Sequence, residues 1–169
     1  MSEITNKNML SPLGFQFVIQ RLSNVNFFVQ SVTLPGITAS TIDQPSPLRS
    51  IPTPGDKIEY SELEVVFKID EDMNNYIEVF EWIRALGFPD SNQQYKDLAD
   101  QPAYTGGGIY SDATLTILSS AMNPNIRIEV QDLFPVSLTP IEMSAINTDV
   151  EYLEATASFR FLGYTFTKL

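Results

Sequence analysis

Alternation with a period of two runs through most of the chain. Phe15, Phe17 and Ile19 alternate with Gln16, Val18 and Gln20, which predicts a half-buried strand over 14–22. A turn at Ser23-Asn24 leads to a second apolar run over 27–34, and the spacing predicts a hairpin. Pro35-Gly36 closes that run as a type II turn pair. Over 61–69, Leu63, Val65, Phe67 and Ile69 face one way and Glu62, Glu64 and Lys68 the other. One face of this strand is core and the other is wet, or lines something wet. Strands over 113–119 and 126–133, joined by the turn Met122-Asn123-Pro124-Asn125, predict another hairpin. Pro135 and Pro140 bracket an irregular piece, with a short strand expected over 141–145. The last strand is expected over 154–166. Ala157, Phe159 and Phe161 share one face, and Leu162, Tyr164 and Phe166 make the other apolar, so this strand reads as buried on both sides.

The period changes once. Met73, Tyr76, Ile77, Phe80, Ile83 and Leu86 recur at three- and four-residue steps, which predicts a helix over 73–86 with those residues inward. Asp70, Glu71 and Asp72 stand at its start, where the helix dipole favours negative charge. Gly87 is its stop signal, with Pro89 just beyond. Trp82 lies off the centre of the apolar stripe and points to a second packing surface. Two stretches carry no clear pattern. In 37–58, Pro45, Pro47, Pro52 and Pro54 bias the chain to extended shapes, as either a surface loop or an arm that pairs with a neighbouring subunit. The stretch 88–112 is a long loop that includes Gly106-Gly107-Gly108. Long structureless connections are uncommon in a domain of this size and usually have a task.

Composition limits what that task can be. The 169 residues suit one domain, 1–169, with a flexible N-terminus over 1–12. There is no histidine and no cysteine, so Ser-His-Asp, Cys-His and thiolate chemistry are excluded. The net charge of −11 disfavours gripping nucleic acid through its phosphates, and leaves open a surface past which DNA slides, where repulsion prevents sticking. No apolar run approaches a membrane span, and the start lacks the pattern of a signal peptide, so a cytoplasmic protein with no membrane insertion is expected. The glycine triplet lacks the lysine of a phosphate cradle. From Asp70 to Glu81, acids and amides fall at the ligand positions of a calcium loop, but the helical spacing would spread them around a cylinder. Glu62 and Glu64 share a strand face, as a glycosidase pair could, or simply as a solvated face. No catalytic residue, cofactor or metal ligand is assigned.

Two ordered blocks carry a resemblance. The first is Gln30-Ser31-Val32-Thr33-Leu34-Pro35-Gly36-Ile37, then Pro54-Gly55-Asp56, then Leu63-Glu64-Val65-Val66-Phe67, then Phe80-Glu81-Trp82. The second begins with the strand over 113–119, Asn123-Pro124 and the strand over 126–131. It continues through Asp132-Leu133-Phe134-Pro135-Val136 to Thr156-Ala157-Ser158-Phe159-Arg160-Phe161. Together they resemble the tail tube proteins of contractile-tailed bacteriophages, a family related to tube initiators and to the ring proteins of type VI secretion and extracellular injection systems. The resemblance covers most of the chain from Gly14 on, and 88–108 fits it least.

It implies a mainly β fold: two packed antiparallel sheets forming a β-barrel with one flanking α-helix. It implies a non-enzymatic structural protein of the virion tail, assembled in the host cytoplasm into stacked hexameric rings. Those rings form a tube that conducts DNA inside a contractile sheath. The implied partners are further copies, the tail sheath, tube-initiator or baseplate proteins and tail-terminator proteins, with transient non-specific DNA passage. The acidic balance suits a lumen that repels phosphate. On this reading the interface residues are Pro35 and Gly36, which set the arm's departure; Pro45, Pro47 and Arg49 in the arm; and Leu162, Tyr164 and Phe166 as a buried seam. A tube initiator or a baseplate or adaptor ring protein is the first alternative, and a carboxylate-based hydrolase the second.

Overall fold

Fifteen residues of one strand organise the molecule. The computed structural model describes residues 9–10, 12–87, 92–100, 108–144 and 152–169. In chain order it contains β1 (Phe15–Ile19), α1 (Ser23–Phe28), β2 (Val29–Thr33), β3 (Ile37–Gln44), β4 (Ile51–Tyr60) and β5 (Leu63–Lys68). Then follow α2 (Asn74–Gly87), α3 (Asn92–Ala99), β6 (Ser111–Leu118), β7 (Pro124–Leu138), β8 (Glu154–Arg160) and β9 (Gly163–Lys168). The long strand is β7. Its first half lies between β6 and β9, and its second half pairs with β8. A register shift between Ser111 and Ala113 of β6 marks a bulge in β7, where Asp132 takes a left-handed φ of 53°. Such a bulge bends a strand and sharpens its twist, so β7 leaves one layer and enters the other. The Asp112 carboxylate accepts from the Asp132 N–H at 3.2 Å and holds the bend.

The first layer is therefore β1-β6-β7-β9 and the second is β2-β5-β8-β7, all antiparallel. Phe17, Ile19, Leu115, Ile128 and Val130 of the first layer share one buried cluster with Val65, Phe67, Ala157 and Phe159 of the second. These are the inward positions that the alternation predicts. Among the described residues no ladder joins β2 to β1 or to β9, so the layers stay open at that seam and no strand pair closes a barrel.

Several expectations change at this level. The predicted hairpin over 14–34 does not form: β1 pairs with β6, and β2 pairs with β5. The residues between them are helical. α1 carries the chain from one layer to the other, burying Val25. Leu34–Gly36 is not a type II turn, because Gly36 lacks the positive φ that such a turn needs at its third position. The 88–112 stretch contains α3, so it is not a plain loop. The irregular piece after Pro135 belongs to β7 as far as Leu138. No strand covers 141–144, and residue 145 lies outside the described residues. The single last strand is two, β8 and β9, because the chain turns at Phe161-Leu162. That turn is set opposite the β7 bend, where the Leu162 N–H donates to the Gln131 carbonyl at 3.0 Å.

α2 forms where expected but is rotated about its axis. Asn75, Val79 and Trp82 are buried, while Ile77 and Phe80 are exposed. Asn75 explains the rotation. Its Nδ2 donates to the Lys68 carbonyl at 2.7 Å, and its Oδ1 faces the Asp70 N–H at 3.4 Å. The buried amide thus stitches the end of β5 to the helix start, which makes a polar residue part of the inward face. Trp82, expected at the margin, is the largest fully buried side chain. Its Nε1 donates to the Ile109 carbonyl at 3.1 Å, and its ring lies 6.3 Å from that of Phe159.

Candidate assembly surface

The arm is structured, and beyond its root at Tyr60 its ladder is its own. β3 and β4 pair with each other and form a separate two-stranded sheet. This corrects the expectation of an unpatterned stretch. The alternation is faint because most positions on both faces are exposed, so no apolar face is required. The pair continues the β2–β5 ladder outward as one ribbon. Gly36 and Ser61 lie at the joint: the Gly36 N–H donates to Ser61 Oγ at 2.7 Å, and the Ser61 N–H donates to the Gly36 carbonyl at 3.1 Å. With eight residues in β3, the ribbon reaches about 26 Å beyond this joint.

Two features of the ribbon follow from covalent chemistry. Pro52 pairs with Asp43 and Pro54 with Thr41, on either side of the Thr53–Ile42 pair. Proline has no N–H, so these pairs are the non-hydrogen-bonded ones, and their missing donors fall on the outer edge of β4. That edge is blunted, and the outer edge of β3 is not. A bulge between Ala39 and Thr41 brings Gly55 against Ser40, where a Cβ on Gly55 would lie 2.9 Å from the Ser40 carbonyl oxygen. Only glycine fits that approach.

The proposed interface residues divide into three groups. Pro35 is buried at the root of the ribbon, and its carbonyl accepts from the Tyr164 hydroxyl at 3.2 Å. The structure therefore brings together two residues that the sequence places in separate sets. Around them Tyr60, Phe161 and Tyr164 pack ring to ring, with centroids 5.4 to 6.0 Å apart. This aromatic joint was not foreseen, since Tyr60 carries no signal in the alternation. Pro45, Pro47 and Arg49 lie exposed between β3 and β4 at the far tip, where Leu48 is 97% exposed. Leu162 and Phe166 are not a buried seam in the single chain: they are 70% and 61% exposed. Phe166 stands opposite Ile128 on the core side of the first layer, but β9 is the layer's edge, and no second-layer strand covers it there.

The outward face of the first layer is polar across four strands except at Val18. Gln16, Thr116, Arg127 and Thr167 form one cross-strand row, and Val18, Thr114, Glu129 and Thr165 form the next. The charge of these rows is balanced, one arginine against one glutamate. The negative charge gathers instead at α2, where Asp70, Glu71, Asp72, Glu78 and Glu81 meet one base, Arg84. Glu78 accepts from Asn24 Nδ2 at 2.6 Å. Burial raises the Glu78 pKa above its ordinary value of 4.5, opposed by the Asn24 bond and reinforced by Asp70 and Glu81. From Asn74 on, the suspected calcium loop is helix, with Asn75 committed to the backbone. Of the two carboxylates weighed as a hydrolase pair, Glu62 lies 3.4 Å from Arg160, and Glu64 is exposed on β5. No helix among the described residues is long and apolar enough to cross a membrane.

No protein-family model matches the sequence, and no curated protein does. Solved structures do. A chain in the tube-terminating cap of the anti-feeding prophage superposes with a TM-score of 0.66 at 14% identity, covering 99% of this chain and 97% of that one. A chain in the PVC sheath/tube terminator of an extracellular contractile injection system, extended state, gives 0.64 at 14%, covering 95% and 98%. A chain in the sheath–tube complex of such a system gives 0.64 at 13%, covering 96% and 94%. The likeness spans both layers and the helices between them, and it agrees with the tail-tube resemblance in the sequence. This chain has the fold found in the cap, terminator and sheath–tube assemblies of contractile injection systems.

Proposed function

We propose that this protein is a non-catalytic structural subunit whose copies close into six-membered rings, and that the rings stack into a tail tube inside a contractile sheath. The observation that carries this reading is the first layer. It has a largely polar face four strands wide, with strand edges at β1 and β9 that are unpaired among the described residues. Exposed edges invite pairing. Joining the β9 edge of one copy to the β1 edge of the next, around a ring, makes a continuous wall whose wet side is the Gln/Thr-rich face. A wall of uncharged side chains with a balanced Arg127 and Glu129 neither grips nor strongly repels phosphate, which suits passing DNA. It acts by not sticking, where the sequence pointed to repulsion. The ribbon reaches the next subunit or ring, and sheath, baseplate and terminator proteins are the further partners. The location is the tail of a virion, assembled in the host cytoplasm.

A second reading is a terminal ring, a cap or initiator that does not polymerise. Chains from cap, terminator and sheath–tube assemblies cover 99%, 95% and 96% of this one, so the shared fold supports both readings. Negative-stain microscopy of the purified protein at high concentration separates the two: long hollow tubes support the first reading, and isolated rings the second. A monomer at every concentration in sedimentation would overturn both.

A further inference from the structure

Proline at the root of the ribbon leaves a backbone carbonyl outside the ladder, and a residue of the other layer takes it. The pairs Thr33–Glu64 and Ile37–Tyr60 lie in one register, so Leu34, Pro35 and Gly36 stand opposite Leu63, Glu62 and Ser61. Across these positions the regular strand lapses. Gly36 and Ser61 still bond to each other, but the Gly36 N–H donates to the serine hydroxyl, so half of that pair runs through a side chain. Pro35, next to it, has no N–H to give. The alternation of an antiparallel pair turns its carbonyl away from β5, toward the outer edge of β2. There it meets the Tyr164 hydroxyl at 3.2 Å.

Tyr164 reaches that carbonyl from across the seam. It pairs with the buried Val130, so its ring lies on the core side of β9. β9 edges the first layer, and Pro35 follows the edge strand of the second. The bond is a tie between layers that no ladder joins here among the described residues. The ring is itself held, with the centroids of Tyr60, Phe161 and Phe166 at 5.4, 6.0 and 5.3 Å. Close packing does not fill the space beside the joint. An open cavity of about 370 Å³, lined by Glu59, Tyr60, Ser61, Arg160 and Phe161, lies against it.

We infer that Tyr164 is a positioning residue for the ribbon: its hydroxyl, bonded to the Pro35 carbonyl, sets the angle at which β3 and β4 leave the body. The leverage is large, because over a ribbon of about 26 Å a rotation of about 10° at the root moves the tip by roughly 4–5 Å. The use of a fixed angle rests on the reading that the ribbon reaches another copy, since a segment already aimed need not be ordered on contact. The tie itself acts within one chain.

The absence of cysteine makes the test clean. Spin labels on Leu48→Cys, at the ribbon tip, and Glu129→Cys, on the outward face of the first layer, report the angle as a distance by double electron–electron resonance. Labelled chain is diluted into an excess of unlabelled chain, so that only distances within one copy are read. The parent should give one narrow distribution. Tyr164→Phe keeps the ring and removes the hydroxyl, and the loss of one ordinary hydrogen bond at the root should broaden the distribution about twofold or more. Its circular dichroism should match the parent's. Thr53→Val is the control: it removes a hydroxyl that donates to the Ile42 carbonyl at 2.7 Å within the ribbon, and should leave the distribution narrow. A Tyr164→Phe distribution as narrow as the parent's, a parent that is itself broad, or equal broadening in Thr53→Val would each overturn the tie. None of these results touches the assembly reading, which the microscope tests separately.

Discussion

Trp82 is the largest side chain that the described core buries completely. It fills the space between α2 and the second layer, with its ring near Phe159, its Nε1 on the Ile109 carbonyl and the Arg21 guanidinium 4.9 Å above it. Trp82→Ala should cost about 3–5 kcal/mol from lost burial and the cavity left behind, read as a lower denaturant midpoint. Glu78 gives a prediction with the opposite sign. Its folded pKa is raised above 4.5 by burial and by Asp70 and Glu81. An acid whose pKa rises on folding binds its proton more tightly in the folded state. Its contribution to stability is therefore fullest below pH 4.5 and is lost as pH rises through the elevated folded value. Glu78→Gln keeps an acceptor for Asn24 and removes the charge. It should raise the melting temperature modestly at pH 7, and the gain should vanish below about pH 4, where Glu78 is itself protonated. A gain equal at both pH values would mean that packing, not charge, is responsible.

At the scale of elements, the ribbon is separable from the body. Among the described residues β3 and β4 pair only with each other, and the aromatic joint of Tyr60, Phe161 and Tyr164 lies at their root. Deleting residues 41–52 removes the far half and spares that joint. The shortened chain should keep its circular dichroism and a single cooperative melt, yet fail to form rings or tubes under the microscope. Assembly that survived the deletion would show that the ribbon's reach is not used. The prolines left a surface loop and an extended arm both open here, and gave no sign of the ladder that makes this stretch a ribbon. That ladder buries little, so the residues on its two faces are under little pressure to differ in polarity. α2 was legible for the complementary reason: its acidic approach and its three- and four-residue apolar spacing are local signals. Its inward face was misread because Asn75 is polar, and its place inside depends on the Lys68 carbonyl at the end of another element.

For the whole molecule, charge and edges act against each other. A net charge of −11 opposes bringing copies together, while exposed strand edges and apolar side chains such as Phe27, Leu162 and Phe166 favour it. Raising the ionic strength from roughly 0.05 to 0.5 M shortens the range of the repulsion and should lower the concentration at which assembly begins, followed by light scattering. Assembly that weakens with salt would instead point to contacts made by paired charges.

Which residues of each strand turn inward was readable from the chain alone, because alternation is a property of neighbours in sequence. Phe17, Ile19, Leu63, Val65, Phe67, Ile128, Val130, Ala157 and Phe159 are all buried where the period puts them. Which strand each one pairs with was not, except across the short turn joining β6 to β7. Pairing joins residues far apart in the chain, and β1 is equally amphipathic beside β2 or beside β6. The bend of β7 at Asp132 and the helical detour of α1 settled that choice. In doing so they left the seam between the two layers without a ladder among the described residues.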